Sequence, residues 1–195
     1  MSIPIMTRKE LEHIIRAAGA IADVDRVIIL GSQAILAQYP ELSEKSESDK
    51  VLLSVEDREI LFRSVETDIM IPDSVEKTEL VEAAIGEFSM FHDTFGYYAQ
   101  GVDLTTSKLP SGWEDRLVVI CNENTNGVAG LCLEIHDLII SKLYAGRPKD
   151  FEYFKSAIRL GLLSKETLTE RLKQTTMPDE RRIQIESYIK RAFSK

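Results

Sequence analysis

Between Val65 and Ile71 the chain alternates with a period of two: Val65, Thr67, Ile69 and Ile71 fall on one side, Glu66 and Asp68 on the other. Successive side chains of a strand point to opposite faces. The run from Phe62 to Ile71 therefore predicts a strand that packs one face and carries two carboxylates on the other, stopped by Pro72. Two acids in one small volume repel unless a cation lies between them, and hard divalent ions such as magnesium or manganese take oxygen ligands of this kind. A solvated sheet face gives the same pattern without any ligand.

Some thirty residues earlier, the apolar run Val27 to Leu30 ends in Gly31-Ser32. A glycine there lets backbone approach a ligand closely. The serine is expected to cap a helix from Gln33 to Gln38, whose N-terminal amides would favour a phosphate. An ordinary strand, turn and serine-capped helix accounts for the same residues.

Around these two features the chain reads as strands first and helices last. Thr7 and Glu10 form a capping box for a helix to Ile21, with Leu11, Ile14, Ile15 and Ala18 at helical spacing. Ser74 caps a helix through Ala84 that Gly86 closes, and Ser89 to Thr94 makes a helical turn. Phe95 to Leu104 reads as a strand broken by glycine. Arg116 to Cys121 and Val128 to Leu133 read as two strands joined by Asn122 to Gly127. From Glu134 the pattern is helical almost to the end. The fold class is α/β (α+β): a mixed sheet flanked by helices over residues 1–133, then a C-terminal helical region, residues 134–195, packed on it. The polar segment Glu41 to Lys50 has the composition of a surface loop.

The net charge of −8 argues against a surface built to grip nucleic acid. Arg171, Lys173, Arg181, Arg182, Lys190 and Arg191 gather near the end, but interspersed acids point to solvated helix surfaces. No apolar run reaches the roughly 20 residues of a membrane span, and the first residues lack the basic start and apolar core of a signal peptide. Cys121 and Cys132 read as reduced core thiols of a cytoplasmic protein. His13, His92 and His136 form no set; each reads as a packed or capping residue, and no Ser-His-Asp or Cys-His arrangement has support.

Lys142 has Leu138, Ile139 and Leu143 around it at helical spacing, which buries its stem and lets the ammonium reach a cleft. In Gly146-Arg147-Pro148-Lys149-Asp150, glycine ends one helix, proline suits the first turn of the next and Asp150 complements its dipole. Two adjacent bases, Arg147 and Lys149, fit phosphate contacts, with Asp150 orienting Lys142 or the nucleotide.

A Gly-Ser turn followed by Glu66-Thr67-Asp68 on the next strand resembles the DNA polymerase β-type nucleotidyltransferase superfamily. Glu66 to Pro72, Phe91 to Ala99, His136-Asp137-Leu138 and Lys142 to Asp150 look like the bacterial DUF6036-type nucleotidyltransferases, themselves similar to AbiEii-type toxins. The resemblance spans roughly Val27 to Phe154, with a longer polar insertion before the acid pair than the superfamily usually has. It implies a nucleotidyltransferase-like fold and transfer of a nucleoside monophosphate from a triphosphate to a hydroxyl on RNA, protein or a small molecule. The setting it implies is toxin–antitoxin or phage defence, with a cognate partner protein. Glu66 and Asp68 would hold the metal; Gly31, Ser32, Lys142, Arg147, Lys149 and Asp150 would meet the nucleotide. The third carboxylate common in the superfamily falls, on order and context, to Asp103. The alternative is a catalytically inactive module of the same fold that binds a protein partner.

Overall fold

The computed structural model describes residues 5–43 and 55–194. Helix α1 (Arg8–Ala22) starts at Thr7, whose N–H donates to Glu10 Oε2 at 2.6 Å, closing the capping box. Its apolar positions Leu11, Ile14, Ile15 and Ala18 are fully buried. Strand β1 (Arg26–Ile29) leads through a 3-10 turn (Ser32–Ala34) into the single-turn helix α2 (Ile35–Gln38). Then follow α3 (Val55–Phe62), β2 (Glu66–Met70), α4 (Val75–Ile85), α5 (Met90–Phe95) and β3 (Tyr98–Gly101). Strands β4 (Val118–Ile120) and β5 (Ala129–Cys132) complete the sheet. Helices α6 (Ile135–Ala145), α7 (Pro148–Arg159), α8 (Lys165–Lys173) and α9 (Asp179–Ala192) follow.

The described strands form one mixed sheet in the order β3-β2-β1-β5-β4. β1 runs antiparallel to β2 and parallel to β5, while β2 and β3 are parallel. One face carries Val27, Ile29, Thr67, Ile69 and Cys132, all fully buried. α1 lies on it closely enough that a Cβ on Gly130 would run into the Ile15 side chain. α4 covers the other end, its Thr78 hydroxyl accepting the Ile71 N–H at 2.9 Å. The opposite face bears Glu66 and Asp68.

Several local expectations change. Phe95 ends α5 instead of opening a strand, because Gly96 takes a left-handed φ of 79° and closes that helix; β3 is only Tyr98–Gly101. Phe62 likewise closes α3 rather than starting β2. Cys132 is buried as expected but Cys121 is exposed, since it falls just past the end of β4. Residues 44–54, most of the expected surface loop, lie outside the described residues.

The basic C-terminal residues do more than solvate helix surfaces. Arg181 donates to the Leu143 and Tyr144 carbonyls, both at 2.8 Å, at the end of α6. Arg182 reaches the Leu172 and Thr175 carbonyls at 2.6 and 3.0 Å, at the end of α8. Each guanidinium bonds carbonyls at a helix terminus and meets the negative end of its dipole. Arg171 lies 3.2 Å from the fully buried Asp137, which also accepts two hydrogen bonds from Arg116. No helix among the described residues is long and apolar enough to cross a membrane.

Candidate active site

The antiparallel register of β1 and β2 decides where the Gly-Ser turn sits. Ile28 pairs with Met70 and Ile29 with Ile69, so the chain leaving β1 runs alongside the start of β2. The Leu30 N–H donates to the Asp68 carbonyl at 3.0 Å, and Gly31 comes next, against the Asp68 side chain. A Cβ at Gly31 would overlap the Asp68 carboxylate. Its φ of −89° is open to any residue, so glycine is required here for space. Gly31→Ala is expected to push the carboxylate aside, lowering any metal-dependent transfer by about 10²-fold while the thermal unfolding midpoint moves little. An unchanged rate would show that the contact is immaterial.

Ser32 does not act as the expected helix cap. Gly31 occupies the N-cap position with no side-chain bond, and the segment starts as a 3-10 turn. Only a few residues of helix follow, so the dipole behind the turn is short. What fixes the turn instead is contacts from distant parts of the chain. The Tyr153 hydroxyl donates to the Ser32 carbonyl at 3.1 Å, and Gln33 Nε2 donates to the Ser64 carbonyl at 2.6 Å.

Glu66 and Asp68 project from the same face of β2, and their charges act on each other. Burial, then the neighbouring Glu66 charge, pushes the Asp68 carboxyl up to about 6, against the pull of Lys142 and Lys149. Tyr98, opposite Glu66 in the β2–β3 register, donates its hydroxyl to Glu66 Oε2 at 3.0 Å. Burial and this bond push the Tyr98 hydroxyl up to about 12, so it stays a donor at neutral pH.

Lys142 comes from α6 and Asp150 from the first turn of α7. Lys142 Nζ lies 3.6 Å from Asp150 Oδ1 and 4.6 Å from the centre of the Tyr153 ring. Burial pushes the ammonium down from its ordinary value, while the Asp150 and Asp68 carboxylates hold it up. Gly146, at a φ of 68°, closes α6, Pro148 opens α7, and Asp150 accepts the Arg147 N–H at 3.2 Å. This tight corner brings Arg147 and Lys149 to the same cleft.

The cleft has two compartments that share Asp68, Lys142, Arg147 and Asp150. One, of about 260 Å³, adds Ser32, Arg63, Ser64, Glu66 and Lys149. The other, of about 180 Å³, adds Gly31, Val102, Ser107, Leu138 and Ser141. Asp103 lines neither. It follows β3, caps a 3-10 turn by accepting the Thr105 N–H at 2.6 Å, and faces a separate cleft. The structure therefore gathers Gly31, Ser32, Glu66, Asp68, Lys142, Arg147, Lys149 and Asp150, and leaves Asp103 apart.

A family described as nucleotidyltransferase of unknown function, DUF6036, matches residues 9–193. The chain belongs to this family. No curated protein and no solved structure matches it. As a DUF6036 member the chain carries the coarse assignment of a nucleotidyltransferase, a class that uses nucleoside triphosphates.

Inspection of the sequence missed Tyr98, Tyr153, Arg63 and Ser64 at this DUF6036 cleft. Tyr98 had one available signal: it stands in a strand-forming run among aromatic residues. The other three had none, because only packing of α7 and of the end of α3 brings them to β2.

The donor set fits a hard divalent cation. Two carboxylates face one way, one of them pushed up to about 6 by burial and then by the other's charge, an arrangement a cation would relieve. Among the described residues no group of three or more His, Cys, Asp and Glu is placed to hold a metal, so substrate or water oxygens would complete the shell.

Proposed function

We propose that this DUF6036 chain is a magnesium-dependent (or manganese-dependent) nucleotidyltransferase of the DNA polymerase β-like superfamily, related to AbiEii-type toxins. It moves a nucleoside monophosphate from a triphosphate to a hydroxyl acceptor. The observation that carries the reading is the Glu66–Asp68 pair facing a cleft whose other wall holds Lys142, Arg147 and Lys149. Glu66 and Asp68 would hold the ion, which when bound supplies Lewis-acid stabilisation of the phosphoryl oxygens. Tyr98 fixes the rotamer of Glu66, and Gly31 leaves room for Asp68. The triphosphate would lie in the larger compartment against Ser32, Ser64, Lys142 and Lys149. The acceptor hydroxyl gives its proton to water, its oxygen forms a bond to the α-phosphorus as the bond to pyrophosphate breaks, and the three bases, Lys142, Arg147 and Lys149, meet the charge growing on the leaving group. A toxin–antitoxin or phage-defence role with a cognate partner belongs to the same reading and rests on the AbiEii resemblance alone; a cytoplasmic location rests on the two cysteines read as reduced thiols.

The test is label transfer from each α-labelled triphosphate, with magnesium, to RNA and protein acceptors. Wild type should transfer, and Glu66→Ala and Asp68→Ala should each lose about 10³-fold or more. No metal-dependent transfer by wild type, or transfer by both variants equal to that of wild type, rejects the reading.

The placement of Asp103 on another cleft favours a second reading, an inactive nucleotidyltransferase fold that binds a protein partner. Calorimetry separates the two. A catalytic site binds triphosphate more tightly with magnesium and loses that gain in Asp68→Ala; an inactive module shows no such gain.

A further inference from the structure

Beside the carboxylate cleft lies a roomier one, of about 390 Å³, between α4 and the chain leaving β3. Val102 and Leu104 belong to its apolar lining, and Leu104 is 37% exposed, an apolar surface left to solvent. Asp73, Glu79, Glu82 and Asp103 carry its charge, and no lysine or arginine lines it. Gln100 Nε2 donates to Glu82 Oε1 at 2.6 Å, holding that carboxylate toward the end of β3. Val102 also lines the 180 Å³ compartment that contains Asp68, so the two clefts meet at one side chain.

An acidic rim over an apolar floor repels a polyanion and attracts a cationic, amphipathic chain. The protein's net charge of −8 works in the same direction at longer range. We propose that this cleft docks a basic polypeptide segment, and that the segment presents a side-chain hydroxyl past Val102 to Asp68. The acceptor class of the transferase is thus a protein hydroxyl. The delivery step rests on the function proposed above; the docking does not.

Binding is read by fluorescence anisotropy, using a labelled peptide of alternating lysine and leucine with one central serine. Its glutamate-for-lysine counterpart and a single-stranded RNA oligomer of similar length serve as comparisons, at low and physiological salt. The basic peptide should bind about tenfold or more tightly than the acidic one, with a preference that shrinks as salt rises. Glu79→Lys and Leu104→Ser, both at exposed positions, should each weaken it about tenfold, and Asp68→Ala should leave it unchanged. Equal binding of both peptides, or indifference to Glu79→Lys and Leu104→Ser, overturns the proposal. So does tighter binding of RNA that the same substitutions weaken. Docking that persists in a protein inactive with every triphosphate supports the surface and counts against the transferase reading, so the two fail separately.

Discussion

Replacing Asp68 by asparagine is expected to abolish nucleotidyl transfer, by about 10³-fold or more, and to make the metal-free protein more stable at neutral pH. The two effects have one cause. Asp68 is mostly buried beside Glu66, so its charged form is disfavoured and its carboxyl is pushed up to about 6 from an ordinary 3.8. Because the folded-state value is raised, the associated stability is fully present below the unfolded value and is lost as pH rises through about 6. Above that pH the native state holds two like charges together. Asparagine removes one, which should raise stability by about 1–3 kcal/mol at neutral pH and flatten the dependence of the unfolding midpoint on pH between about 4 and 7. Magnesium should recover part of the loss in wild type and none in Asp68→Asn. Thermal unfolding across that range, with and without magnesium, reads all of this. An asparagine variant less stable than wild type at neutral pH would mean that Asp68 is held in place by its basic neighbours rather than strained against Glu66.

The largest loss of stability is expected at Asp137, well away from the carboxylate cleft. Its side chain is fully buried, accepts Nε and Nη2 of Arg116 at 2.8 and 3.1 Å, and lies 3.2 Å from Nε of the nearly buried Arg171. Burial pushes its carboxyl up while Arg116 and Arg171 pull it down. Asp137→Ala leaves two guanidinium groups facing a cavity. Breaking a buried ion pair by removing one partner costs about 3–5 kcal/mol. Arg116 keeps the Ser111 carbonyl as a partner, which places the expected loss toward the lower end of that range. Because the three residues join the loop before β4 to α6 and α8, the variant should unfold at lower urea with an unchanged slope. A loss below about 1 kcal/mol would show that solvent reaches the guanidinium groups once the carboxylate is gone.

Local rules made much of the architecture readable. The capping box at Thr7, the serine cap at Ser74 and the closing glycines at Gly86 and Gly146 depend on residues a few positions apart, and all stand where their spacing puts them. The alternation through Glu66 and Asp68 likewise fixes which side chains share a face of β2, since the period is a property of the strand itself. The rule failed where two local signals competed. The apolar Phe95 looked like strand, but Gly96 ended a helix there.

What the chain determined alone was therefore the identity of many of its elements, though not of α3, and the face that Glu66 and Asp68 share. Tertiary structure decided the rest. Antiparallel pairing of β1 with β2 set Gly31 against Asp68, and parallel pairing of β3 put Tyr98 opposite Glu66. Packing of α7 brought Tyr153 to Ser32, and the exit from β3 carried Asp103 to a different cleft from the one its order and context had implied. Arg181 and Arg182 became caps at the ends of α6 and α8, outside their own helix, though their own surroundings read as solvated surface. These outcomes depend on register and on which groups are left without partners once elements meet. Neither quantity is encoded in any one segment, because both are properties of pairs that the fold alone brings within reach.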